Sequence, residues 1–269
     1  MPKSKLADCI TFFDNNFMFD LRYNILKNHV DYFVICESKY DHQGNRKKNN
    51  FIFKETYEKN KIKYILMDEK FPLKNDPWNN QAIQREYLLN KLNFADKDDY
   101  IFFSDPDEIP KPELLIDFSL KKKFGIFLQS CFNFKLNLFN PHESPWEGTR
   151  VAKKKDLKSI DFMRQKIKSK NLNYSFLRFD KEKSVELFNE GGWHFNNVMD
   201  PKEISLKLKT FAHSEFSDPK FSDEQIIQDK INRKVDLFDR GHKYFKIEID
   251  ESFPQFIIDN KTFYQKWIL

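Results

Sequence analysis

Apolar positions along this chain fall first into unbroken runs and only later into alternation. Residues 9–13, 30–36 and 100–103 are apolar, aromatic or β-branched with almost no polar interruption, the pattern of strands covered on both faces in a parallel sheet. Residues 62–67 make a further strand running into Asp68. Between the first two runs, Asp14-Asn15-Asn16 reads as a turn and helix N-cap, and Leu21, Ile25 and Leu26 then recur at helical spacing. Strand, helix, strand in this order predicts a right-handed parallel crossover, the opening unit of a nucleotide-binding sheet. Residues 40–50 are polar, contain Gly44 and predict a surface loop, while Asp76-Pro77-Trp78 introduces a helix over about 79–92.

The second half has a different rhythm. In residues 132–138, Phe132, Phe134, Leu136 and Leu138 alternate with Asn133, Lys135 and Asn137, which predicts a half-exposed strand pair and makes the sheet mixed. Around Gly191-Gly192-Trp193-His194, either a strand puts Trp193 and His194 on opposite faces or a hairpin buries the Trp. Ile204, Leu208 and Phe211 keep helical spacing up to His213 and Glu215, and Ser222-x-x-Gln225 resembles a capping box before Ile227, Ile231 and Val235. The tail carries enough aromatics to pack back on the domain.

Composition narrows the class. With 30 Phe, 10 Tyr and 4 Trp but only 6 Gly, and 269 residues in all, the chain builds a core and is read as one α/β domain, residues 1–269. A net charge of +5 spread over scattered lysines fits solvated faces and no nucleic-acid partner. Cys9, Cys36 and Cys131 are odd in number, far apart and set in apolar runs, so they read as reduced buried thiols. No run reaches membrane-spanning length and the N-terminus lacks an apolar signal region. The expectation is a cytoplasmic protein without an anchor, with peripheral contact to acidic membrane surfaces left open.

The chemistry concentrates where the strand at 100–103 stops, at Asp105, Pro106, Asp107 and Glu108. Ligands collect beyond the carboxyl ends of strands in open α/β sheets. Pro106 favours extended backbone at Asp105, and an extended chain turns Asp105 and Asp107 to one side and Glu108 to the other. Paired carboxylates there either hold a hard divalent cation, Mn²⁺ or Mg²⁺, or cap the helix that Pro110 and Pro112 open. Glu37 ends the second strand on the same rim. Arg85 reads either as a bidentate clamp for a diphosphate or as an exposed charge, and the loop before Trp146 as a platform for a sugar ring.

Several blocks together resemble glycosyltransferase family 17, the family of the β-1,4-mannosyl-glycoprotein β-1,4-N-acetylglucosaminyltransferase. They are Asp8 to Phe13 with Asp20-Leu21-Arg22, Val30 to Glu37, Gln84-Arg85, Ser104 to Pro110, Gly192 to Phe195 and Phe211 to Phe216. The resemblance implies a GT-A type fold, with a donor-binding half over about residues 1–115 and an acceptor-side half with a helical tail over about 116–269. It also implies a nucleotide-sugar donor, UDP-N-acetylglucosamine being the first to test, a glycan acceptor, and inversion at the anomeric carbon. Asp105 and Asp107 match the Asp-x-Asp element that holds a divalent ion against the donor diphosphate. The acidic positions that the family carries after its first Phe-Phe are here Asn15 and Phe17, and the missing anchor suits a bacterial or viral pathway better than a secretory one.

On this reading Phe12, Glu37, Arg85, Asp105 and Asp107 face the donor, His194 joins the two aspartates at the metal, and Trp193 and Trp146 meet the acceptor. Glu190, with Glu215 behind it, is the candidate general base. Two other classes stay open: a non-catalytic sugar-binding protein on a degenerate scaffold, and a metal-dependent phosphoryl-transfer enzyme, the latter without a Gly-rich phosphate loop.

Overall fold

The computed structural model describes residues 3–72, 76–210 and 216–269, so Glu215 and His213 lie outside the described residues. The first half is a parallel α/β unit. β1 (Leu6–Phe12), α1 (Asn16–Leu26), β2 (Tyr32–Ser38), β3 (Ile62–Met67), α2 (Pro77–Asn90) and β4 (Tyr100–Ser104) follow one another, and the four strands lie in the order β3-β2-β1-β4, all parallel. Local signals start the helices: the Asn15 side chain accepts a hydrogen bond from Met18 N at 2.8 Å, and Asp76 accepts from Asn79 N at 3.1 Å with Pro77 in the first turn.

The unbroken apolar runs are explained by burial on both faces. Ile10, Phe12, Phe33, Ile35 and Phe102 pack with Met18, Leu21 and Ile25 of α1, while Cys9, Val34, Cys36, Ile101 and Phe103 pack with Leu88 of α2. Each large apolar side chain removed from water contributes about 1.5–3 kcal/mol. Charge is buried here as well. Arg22 is fully enclosed; it forms a two-pronged ion pair with Asp8 and donates from Nη1 to Glu108 O at 2.6 Å. The pair therefore ties β1 and α1 to the chain just after β4.

Beyond β4 the sheet becomes mixed. β5 (Glu108–Pro110), β6 (Phe124–Asn133), β7 (Leu138–Phe139) and β8 (Trp146–Lys153) follow, with β8 antiparallel to both β4 and β6. α3 (Ile160–Lys166) covers the α2 side. β9 (Val185–Phe188) and β10 (Gly192–Asn196) then pair parallel with successive halves of β6, and β10 also pairs antiparallel with β5. α4 (Pro201–Thr210), α5 (Pro219–Ser222) and α6 (Glu224–Arg233) gather Ile204, Leu208 and Ile227 around Phe134 and Leu138, before β11 (Phe245–Lys246) and α7 (Gln255–Asp259) close the chain. Among the described residues no helix is long and apolar enough to cross a membrane.

Three local expectations change. The pair at 132–138 is not half-exposed: Asn133 and Asn137 are as buried as the aromatics, because Asn140 Nδ2 donates to Asn133 Oδ1 at 2.9 Å and Asn137 receives Leu269 N at 2.9 Å. The cap of α6 is Asp223, which accepts from Gln225 N and Ile226 N, not Ser222. Finally, residues 105–108 are not extended. Glu108 N donates to Asp105 O at 3.0 Å, so the chain reverses there and enters β5.

Candidate active site

β2 lies on one side of β1 and β4 on the other, which makes the carboxyl ends of β1 and β4 the switch point of the parallel unit. A cleft of about 620 Å³ opens there. Its floor comes from Phe12 to Asn15 and Asp105 to Asp107, one wall from α2 and α3 through Arg85 and Arg164, and the opposite wall from Trp146, His194 and α4.

The reversal at 105–108 has a buried anchor. Glu108 is fully enclosed; its carboxylate accepts from Arg164, from Trp146 Nε1 at 2.7 Å and from Asp105 N at 3.0 Å. The expectation that Glu108 faces away from its neighbours is therefore overturned, because it rested on an extended chain. Arg164 bridges the two acids, donating also to Asp105 Oδ2 at 2.8 Å. Enclosure alone would raise the Asp105 pKa, but Arg164, then Arg85, His194 and Lys207, outweigh it and hold this carboxyl at about 2. Arg164 in turn loses by enclosure and gains more from Asp105 and Glu108, so its pKa is raised.

Asp107 sits at the tip of the turn. Its oxygens lie 3.6 Å from His194 Nε2 and 3.8 Å from Lys207 Nζ, and its own carbonyl accepts from Phe195 N at 2.8 Å. His194 is held by the ring of Trp146 at 4.8 Å and by Cys131 Sγ, 3.7 Å from Nδ1. Arg85 is buried, paired to Asp161 at 2.7 Å and packed over Phe103; among the described residues its enclosed Nε has no hydrogen-bond partner.

The structure thus brings Phe12, Arg85, Asp105, Asp107, Trp146 and His194 into one cleft. Three other expected residues lie elsewhere. Glu37 is fully buried behind the rim, its carboxylate filled by Lys47 Nζ at 2.6 Å, Asn50 N at 2.6 Å, Phe51 N at 3.2 Å and Tyr64 OH at 2.8 Å, so it pins the loop after β2 and has no capacity left for a ligand. Trp193 is buried in the core with Nε1 donating to Ser252 O at 3.0 Å, the opposite face of β10 from His194, so it offers no ring to a sugar. Glu190 is exposed in the turn before β10, at the far end of the strand from the cleft, which removes it as the base.

Arg164 and Lys207 escaped the sequence reading, as did the acids Asp14 and Glu203, which also line the cleft. For Arg164 a signal existed: Ser159 caps α3, and Ile160, Met163 and Ile167 repeat at helical spacing. Such a helix places Arg164 beside Met163 but does not say which strand end it reaches.

Fold and cleft together define a mixed α/β protein with an acid-tipped cleft at a sheet switch point. Residues 1–128 match the family model of glycosyltransferase family 17, a span that contains the parallel unit and the 105–108 turn; the match supports membership of that family and a glycosyltransferase enzyme. No curated protein matches. Among solved structures, HddC from Yersinia pseudotuberculosis complexed with GMP-PN is similar over 69% of this chain and 90% of that one, at 12% identity and a TM-score of 0.34, too slight a likeness to carry an argument.

Proposed function

We propose that this protein is an inverting, metal-dependent glycosyltransferase of the GT-A type that moves a sugar, N-acetylglucosamine first among candidates, from a nucleotide-sugar donor to a glycan. The observation that carries the reading is the 105–108 turn: it delivers two carboxylates into a cleft at the β1/β4 switch point that Arg85, Arg164 and Lys207 also line. Cations so placed favour a diphosphate and stabilise the charge that grows on it as the sugar leaves.

Among the described residues no group of three or more His, Cys, Asp or Glu side chains has the spacing to hold a metal by itself. That donor set fits Mn²⁺ or Mg²⁺ arriving with the donor, since these ions are commonly held by one or two carboxylates plus substrate phosphates. Asp107 would hold the ion with His194 beside it, Asp105 being largely committed to Arg164. A bound ion there would add charge neutralisation on the leaving diphosphate. The free, buried Cys9, Cys36 and Cys131 support a reducing, cytoplasmic location.

The test is nucleotide release and sugar transfer with Mn²⁺ across a panel of nucleotide sugars, UDP-N-acetylglucosamine included. Asp107→Ala is expected to lower transfer by about 10²-fold or more without changing the melting temperature appreciably. Undiminished, metal-dependent transfer by this variant would refute the role of Asp107.

A further inference from the structure

We propose that a side pocket between the start of α1 and α4 receives the acceptor sugar, and that Asp14, at the junction of this pocket and the main cleft, takes the proton from the acceptor hydroxyl. The inference deepens the transferase reading and rests on it.

The pocket measures about 330 Å³ and contains Phe17, Asp200, Lys266 and Trp267; Asp14 and Glu203 line both it and the cleft. Its size lies at the lower end of the roughly 300–1,000 Å³ of small-molecule sites. Phe17 and Trp267 meet at 5.2 Å and form an aromatic wall, while Asp200 and Lys266 pair at 2.6 Å on the rim. Aromatic carbon beside carboxylates that accept hydrogen bonds suits a neutral, hydroxyl-rich ring better than a second phosphate, which these acids would repel.

Among the described residues, elimination singles out Asp14. Five of their carboxylates line the main cleft: Asp14, Asp105, Asp107, Glu143 and Glu203. Asp105 is held by Arg164, and Asp107 lies between His194 and Lys207. Glu143 is taken by Arg240 and Asn140, each at 2.8 Å, and Glu203 accepts from Asp200 N at 2.8 Å in the first turn of α4. The Asp14 carboxylate is exposed and, among the described residues, makes no hydrogen bond or ion pair. Its proton affinity is also raised, by partial enclosure and then by Glu203, with Lys47 opposing. In the step, an oxygen lone pair of the acceptor forms the new bond to the anomeric carbon. The bond from that carbon to the diphosphate oxygen breaks with its electron pair on the nucleoside diphosphate, and the acceptor proton passes to Asp14.

The experiment uses the whole chain with Mn²⁺, the active nucleotide sugar from the panel, and methyl glycosides of common hexoses as acceptor probes. Asp14→Asn is expected to cut product formation about 10²-fold or more while the thermal shift given by the nucleoside diphosphate with Mn²⁺ stays unchanged. Trp267→Leu is expected to raise the KM for the glycoside roughly fivefold or more with the donor KM unaltered. Wild-type turnover by Asp14→Asn overturns the base, and an unchanged glycoside KM in Trp267→Leu overturns the subsite. A wild-type chain that transfers from no nucleotide sugar defeats the transferase reading itself, a distinct result.

Discussion

Arg164 reaches two carboxylates at once, and the consequences for them differ. With Glu108 it forms a buried pair that holds the turn, whereas Asp105 keeps 36% of its side chain exposed toward the cleft. A carboxyl whose pKa is depressed to about 2 in the fold, from 3.8 in the unfolded chain, stabilises the fold while it is ionised, because the folded chain holds the charged form more favourably than the unfolded chain does. That contribution is complete above the ordinary value of 3.8 and disappears as the pH falls through about 2. Asp105→Asn is therefore expected to melt below the wild type at pH 6 and to approach it at pH 2; a gap independent of pH would disprove the ionic origin. Solvent access makes the effect smaller than that of a buried pair. At this scale the sequence marked Asp105 and Asp107 by their place after a buried strand, and both line the cleft. It was silent on Arg164, 59 residues further on, because no local pattern records which cation closes on a turn.

At the scale of elements, the β5–β10 pairing sets where His194 stands relative to the turn, opposite Glu108. The pairing depends on Gly192, whose φ is +128° and where a Cβ would lie 2.1 Å from Ile109 O. What comes close to Gly192 is the backbone of the neighbouring strand β5. Gly192→Ala is expected to cost at least about 2 kcal/mol, combining unfavourable backbone with a clash against a carbonyl that cannot move without leaving the sheet. Chemical denaturation checks this, and a loss below about 0.5 kcal/mol, the scale of a harmless surface change, would count against the proposed clash. Helices and parallel strands were legible because caps and apolar runs are local. The turn at 105–108 was misread because Pro106, besides favouring extended backbone at Asp105, equally suits the second position of a β-turn, and the hydrogen bonds from Arg22, Arg164 and Trp146 that hold the reversal come from remote residues.

For the whole molecule, one sheet runs from β3 through β1 and β4 into β8 and β6, and β8 covers the side of β4 that the parallel unit leaves open. Residues 1–128 alone would expose that edge and lose both α3 and the tail packed against α1. Such a fragment is expected to aggregate or to lack fixed tertiary packing, read by near-ultraviolet circular dichroism; a native-like, monomeric fragment would show that the second half is dispensable for folding. The tail packs back as its aromatics led one to expect, and Trp267 meets Phe17 near the start of α1. The parallel unit, its capped helices and the acids at the end of β4 were legible along the chain, because each is encoded by neighbours within a few residues. The company those acids keep came from packing: it is the fold that leaves Glu37, Glu108, Glu190, Asp14 and Glu203 buried, saturated, remote or free. Saturation and access depend on side chains brought together by packing across scores of residues, and a linear pattern holds no measure of that distance.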